Sequence, residues 1–238
     1  MPGKHKYTVN EEYFSVLNEE NSYWAGFIAA DGCIHPIYYT KTPSKYRKIG
    51  SIKTREHLNI SIDVCDREHL ETFKKCINFT GPVNDYNNNS KFGFSDSSIL
   101  ATINIYNGKI VSDLRDNFNI TPQKSLTYIP PDLPLECSLP FILGLLDGDG
   151  SIYYVKRDKT YGVGFNGTRE TVSWVKNIID HICPHSSPKG HTAAQVRPSG
   201  SIFKYDIIGM RAIRLLDTFN GVKNTPRLER KLIYGPRN

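Results

Sequence analysis

Two apolar runs in this chain break off in the same abrupt way. Residues 22–34, "SYWAGFIAADGCI", and residues 139–152, "LPFILGLLDGDGSI", each read as a helix that stops at Asp-Gly. An aspartate is unfavourable there, because the C-terminal end of a helix dipole is already negative and favours Lys or Arg. The two runs also lead into the same order of elements. After the first comes "HLNISIDV", whose Leu58, Ile60, Ile62 and Val64 alternate with polar residues as in a half-buried strand. Next is "CDREHLETFKKCINF", which puts Leu70, Phe73 and Ile77 on one helical face. After the second run come "SIYYVKR" and "YGVGFNG", then "TRETVSWVKNIIDHI", with Val172, Val175, Ile178 and Ile179 at helical spacing. "ATINIYNGKIVSDLRDNF" and "IFKYDIIGMRAIRLLDTF" then each run from strand into helix.

The pattern predicts a helix-strand-strand-helix-strand-strand-helix unit written twice, hence an α+β chain of two similar domains packed about a pseudo-twofold axis. An ordinary α+β domain would need both the Asp-Gly ends and the strand-to-helix order to recur by coincidence. Pro130, Pro131, Pro134 and Pro140 cannot all sit inside one helix or central strand, so residues 130–140 read as a linker. It separates a first domain, 1–129 with an N-terminal extension, from a second, 141–238.

Small residues give the two runs a purpose. Gly26 and Ala30, like Gly144 and Gly148, stand at i and i+4 and share a helix face. Glycine inside a helix costs roughly 0.5–1 kcal/mol relative to alanine, a penalty that close contact between two helices explains. Gly32 and Gly150 suit left-handed caps that turn the chain into its first strand. Packed in parallel, the helices would bring Asp31 and Asp149 together at one end. Two carboxylates so placed need protons or cations, and hard oxygen donors favour Mg²⁺, which also takes phosphate oxygens. The chemistry this predicts is metal-assisted phosphodiester hydrolysis.

Charge agrees with a polyanionic partner. The 238 residues carry a formal charge of +6 and are 39% hydrophobic with no long apolar run, which reads as a globular, non-membrane protein. The N-terminus has neither the apolar core of a signal peptide nor the regular amphipathicity of a transit peptide, so an intracellular protein is expected. Five cysteines without CxxC spacing read as thiols in a reducing compartment, with no zinc site.

The paired runs resemble the signature helices of the LAGLIDADG homing endonucleases, and the repeated order extends the resemblance over nearly the whole chain. The nine-residue signature falls on Trp24–Gly32 and Ile142–Gly150, with its metal-binding acid at Asp31 and Asp149. The first copy departs from it at Trp24 and at Ala29, where the second keeps Asp147. The resemblance implies duplicated αββαββα domains whose antiparallel sheets form a DNA-binding saddle around a central two-helix interface. It implies a monomeric, Mg²⁺-dependent endonuclease that cuts both strands of a long, asymmetric double-stranded DNA site, with no stable protein partner. Basic residues near the end of each domain belong to such centres, and Lys124 in "NITPQKS" and Lys231 in "NTPRLERKL" are the matches here.

Reading of DNA would fall to basic and polar residues on exposed strands. The first half offers Tyr38, Tyr39, Lys41, Lys45, Arg47, Lys48, Lys53 and Arg55, with Asn59, Ser61 and Asp63 on the polar face of "HLNISIDV". The second offers Tyr153, Tyr154, Lys156, Arg157 and Lys159, then Gln195, Arg197 and Lys204. Two other functions use the same architecture: a maturase that binds intron RNA with little or no DNA cleavage, and a DNA-binding regulator without nuclease activity. Retention of both Asp31 and Asp149 favours cutting.

Overall fold

A computed structural model of the chain describes residues 6–39, 53–88, 98–185, 194–223 and 225–232. The first half runs α1 (Glu19–Asp31), β1 (Gly32–Tyr39), β2 (Lys53–Asp63), α2 (Arg67–Cys76), β3 (Asn84–Asn88), β4 (Ser98–Ile105) and α3 (Gly108–Phe118). The second repeats it as α4 (Leu135–Gly148), β5 (Ser151–Val155), β6 (Thr160–Gly167), α5 (Arg169–Ile182), β7 (Arg197–Ser199), β8 (Ile202–Ile208) and α6 (Met210–Gly221), and a short α7 (Glu229–Leu232) comes last. Each half carries one four-stranded antiparallel sheet, ordered β1-β2-β4-β3 and β5-β6-β8-β7. The duplicated αββαββα saddle is therefore present. No helix among the described residues is long and apolar enough to cross a membrane.

Local chemistry sets the ends of these elements. Asn18 and Asn21 form a reciprocal capping box that starts α1, at 2.9 and 3.0 Å. Leu58, Ile60 and Ile62 of β2 are buried, but the strand stops at Asp63, whose carboxylate accepts from the Cys65 N–H and opens a 3-10 turn that takes in Val64. Pro134 lies just before α4, so residues 135–140 of the proline-rich stretch are helical, Pro140 included. Leu70, Phe73 and Ile77 in the first half, and Val172, Val175 and Ile179 in the second, are buried under their own sheets.

The helix pair α1/α4 is the centre of the molecule. A Cβ on Gly26 would overlap the Phe141 carbonyl, and one on Gly144 would overlap the Tyr23 carbonyl and lie 2.6 Å from the Phe27 nitrogen. These contacts are reciprocal: Gly26 and Gly144 are equivalent in the two copies, and so are Tyr23 and Phe141. Further along, a Cβ on Gly148 would strike that of Ala30. The helices are thus parallel, in backbone contact, and related by a pseudo-twofold axis.

Gly32 and Gly150 differ from expectation. Gly32 has φ −81° and ψ 156°, and the glycines with positive φ among the described residues are Gly200 and Gly209. What excludes a side chain at the two sites is crowding. At Gly32 a Cβ would lie 2.6 Å from Ile28 Cγ2 and 2.8 Å from its carbonyl oxygen; at Gly150 it would meet Leu146 at 2.6–2.7 Å. The strand leaves each helix by folding back over its last turn.

Candidate active site

The C-terminal ends of α1 and α4 carry no basic residue of their own. Asp31 is the last residue of α1, Asp149 comes directly after α4, and Asp31 Oδ2 lies 3.3 Å from where a Cβ on Gly148 would stand. Burial and the charge of Asp149 raise the Asp31 carboxyl from an ordinary 3.8 to about 6, although the Lys231 and Lys124 ammoniums pull it back. The two acids expected to meet are within electrostatic reach of each other.

The missing cations arrive from distant parts of the chain. Lys124, on a 3-10 turn (Lys124–Leu126), is buried and donates from Nζ to the Gly32 carbonyl at 2.7 Å. Lys231, on α7, donates to the carbonyls of Leu146, Asp147, Gly148 and Gly150 at 3.1, 2.6, 2.8 and 3.0 Å. Gly32 and Gly150 are equivalent positions, so each half ends its signature helix on one lysine. Burial lowers the pKa of both lysines, against the pull of the neighbouring carboxylates. A cavity of about 450 Å³ opens on Lys124, Asp149, Asn166 and Lys204; a second, of about 410 Å³, opens on Gly150, Tyr153, Arg230 and Lys231.

Among the described residues no group of three or more His, Cys, Asp or Glu side chains is placed to hold a metal ion. The arrangement nonetheless fits Mg²⁺, which binds through one or two carboxylates and fills its remaining positions with water and phosphate oxygens. The raised carboxyl of Asp31 is the relevant observation: burial raises it first and the charge of Asp149 second, and a divalent cation offsets both by favouring the ionised form.

Asp147, which Ala29 replaces in the first copy, has a different place. It is 1% exposed, and its Oδ2 accepts from the Tyr23 hydroxyl at 2.7 Å and the Leu228 N–H at 2.8 Å. The Tyr23 oxygen also meets His69 Nε2 at 2.9 Å. Because the Tyr23 hydroxyl donates to Asp147, the imidazole, kept neutral by burial that lowers its pKa to about 4, is assigned the tautomer that donates from Nε2 to the tyrosine oxygen. Asp147 therefore ties α4 to α1, α2 and the C-terminal tail, and burial raises its carboxyl to about 6.

Strand alternation divides each sheet into a helix-covered face and an open one. On the first open face Asn59 Nδ2 donates to Asn104 Oδ1 at 3.0 Å, Ser61 and Thr102 share a 3.0 Å hydrogen bond, and His35, His57 and Tyr106 stack in a row. Arg55 is exposed on the same face of β2. Asp63 is engaged as a turn cap rather than directed along this row. Tyr38, Tyr39 and Lys53 pair through their backbones in β1 and β2. Lys41, Lys45, Arg47 and Lys48 lie outside the described residues.

On the second open face Tyr153 covers Gly162, while Asp206 takes Tyr153 Oη at 3.4 Å and Arg197 at 2.6 Å. Lys204 is paired with Asn166, whose Nδ2 donates to the Asp149 carbonyl at 3.1 Å. Tyr154 falls on the opposite face from Tyr153, edge-on to Tyr161, and this separates two residues that adjacency in the sequence groups together. Lys156, Arg157 and Lys159 form the β5–β6 hairpin tip, where Arg157 pairs with Asp158; Gln195 is exposed before β7.

No family model matches the sequence, and no curated protein matches it. Solved structures do. Meganuclease I-SmaMI bound to uncleavable DNA is 13% identical and aligns over 84% of this chain and 83% of its own, with a TM-score of 0.54. The LAGLIDADG homing endonuclease I-GzeII, in complex with its DNA target, is 16% identical over 91% and 87%, with a TM-score of 0.53. The LAGLIDADG meganuclease I-CpaMI, bound to uncleaved DNA, is 9% identical over 87% and 86%, with a TM-score of 0.52. This is the LAGLIDADG homing-endonuclease fold.

Within that fold, sequence reasoning missed three groups. Thr102, Asn104 and Tyr106 alternate with Ile103 and Ile105 in "ATINIY", so the signal that picked out Asn59 and Ser61 was available for them too. The Tyr23–His69 contact and the reach of Arg230 to Asp66 join elements far apart in sequence, and no local pattern announces them.

Proposed function

We propose that this protein is a sequence-specific endonuclease of double-stranded DNA that uses Mg²⁺ to hydrolyse both backbones of a long, asymmetric site. One observation carries the reading: two acids stand at equivalent ends of a pseudo-symmetric helix pair, each end closed by a lysine on the Gly32 or Gly150 carbonyl. Asp31 and Asp149 would hold the metal, which when bound supplies Lewis-acid polarisation of the phosphodiester and a lowered pKa for its water. Asp31, with its carboxyl near 6, is ionised at neutral pH and ready to bind a cation. Lys124 and Lys231 hold positive charge beside the acids, where phosphate oxygens gain charge during attack. The open sheet faces provide Arg55, Lys204 and Arg197 for phosphates and bases, and Asn59 and Asn104 for base edges. Because the two faces carry different side chains, the half-sites they read would differ.

The test incubates purified wild type and the Asp31→Ala/Asp149→Ala variant with a pool of candidate insertion-site DNAs, in Mg²⁺ or EDTA. Selective cutting of both strands by the wild type in Mg²⁺ alone supports the reading. Tight, selective binding without cutting in Mg²⁺ defeats it.

A further inference from the structure

The contacts that place Lys231 begin in the other half of the molecule. Residues 225–232 return from α6 across the end of α4. Arg227 ties the start of this tail to the carbonyls of Phe219, Asn220 and Val222, and the Leu228 N–H is held by Asp147. Arg230 then crosses to the entrance of α2, where Nε and a terminal nitrogen engage both oxygens of Asp66 at 2.6 and 2.5 Å. Lys231 is the next residue.

Beyond these contacts and the four carbonyls that Lys231 itself engages, the tail has little to fix it. A four-residue helix does not stand by its own hydrogen bonds, and Leu228 is the tail's buried apolar residue among those described. Asp66 is 8% exposed and, although it precedes α2, makes no capping hydrogen bond to that helix. Its carboxylate is committed to Arg230. A bidentate guanidinium–carboxylate pair fixes direction as well as distance, which the rotatable ammonium of a flexible lysine on carbonyls does not. Lys124 is held differently, buried on its own 3-10 turn within the first half.

We propose that Asp66 is a positioning residue: through Arg230 it sets Lys231 on the α4 end, so that a first-half carboxylate completes the second half's centre. Its catalytic consequence rests on the endonuclease reading; its positional consequence does not. The pair predicts an asymmetry, because loss of Asp66 should displace Lys231 and leave Lys124 in place.

The experiment uses full-length wild type, Asp66→Asn and Arg230→Gln, each pulsed with acetic anhydride, and quantifies acetylation of Lys231 and Lys124 by mass spectrometry. Both variants should raise the rate at Lys231 by about tenfold or more, the scale of a lost charge-assisted hydrogen bond, with Lys124 unchanged. In parallel, supercoiled plasmid bearing the site selected by the wild type is followed in Mg²⁺. The variants should accumulate nicked circles where the wild type yields linear DNA. Unchanged Lys231 acetylation in both variants overturns the proposal, whatever the plasmid does. Equal rises at Lys231 and Lys124 overturn it as well, since they report general loosening. A selective rise at Lys231 in a protein whose wild type cuts no DNA upholds the positioning role and removes the endonuclease reading.

Discussion

Asp31→Asn should stabilise the metal-free protein while abolishing cleavage. The carboxyl rises from 3.8 to about 6 on folding, first through burial and then through repulsion by Asp149. A carboxyl with a raised folded pKa contributes stability that is fully present below its unfolded value and is lost as pH climbs through the folded one. For Asp31 the window runs from about pH 4 to 6, and above it the ionised group costs up to about 3 kcal/mol. Asparagine keeps the shape and removes the charge. For a chain of this length the gain corresponds to a rise in Tm of up to about 10 °C. The assay is thermal unfolding of both proteins in EDTA at pH 4, 6 and 8, repeated at pH 8 in Mg²⁺. The variant should lead at pH 8 and converge with wild type at pH 4. Mg²⁺ should raise the wild type alone, because only its paired carboxylates give the ion differential affinity for the folded state. An Asp31→Asn protein no more stable than wild type in EDTA at pH 8, or a gap that does not narrow towards pH 4, would refute the reasoning.

Gly144→Ala should destabilise by about 1–3 kcal/mol in chemical denaturation, despite alanine's better helix propensity, because the new Cβ meets the Tyr23 carbonyl and the Phe27 nitrogen rather than a movable side chain. Gly108→Ala, where nothing lies within 4 Å, should be neutral or stabilising in the same measurement. Tyr23→Phe leaves His69 and one contact of Asp147 without their buried partner, so it should lower stability by about 1–3 kcal/mol in urea unfolding; an unchanged midpoint would contradict that network.

Much of this was legible because it repeats. The reciprocal packing of Gly26 and Gly144, the strand after each Asp-Gly, and the lysine near each domain end recur at equivalent places, and recurrence distinguishes a constraint from an accident of composition. The caps at Gly32 and Gly150 show the limit. A glycine after a helix is compatible with a left-handed turn or with crowding, and only the path of β1 and β5 over Ile28 and Leu146 decides between them. Tyr153 and Tyr154 show another. Adjacent residues read as one basic-aromatic patch, but a strand sends them to opposite faces once pairing with Gly162 and Tyr161 sets the register. Asp66 and Arg230 were invisible for a third reason. A cross-domain ion pair depends on where the tail returns, which the local pattern does not encode.

The placement of aspartates at the negative ends of two helices, unfavourable for either helix alone, becomes coherent when charges are counted over the pair. Parallel packing brings together two dipole ends, each equivalent to roughly half a negative charge, and two carboxylates, for a total near minus three. Lys124 and Lys231 offset two of these and leave the centre short of about one positive charge. A third lysine would neutralise it and remove the reason to bind a metal. On the endonuclease reading proposed above, a divalent ion would carry the site past neutrality to about plus one, a charge that suits a phosphate. Where the two last turns touch, at Ala30 and Gly148, packing leaves no room for a longer side chain, so a base cannot be supplied from that face of either helix.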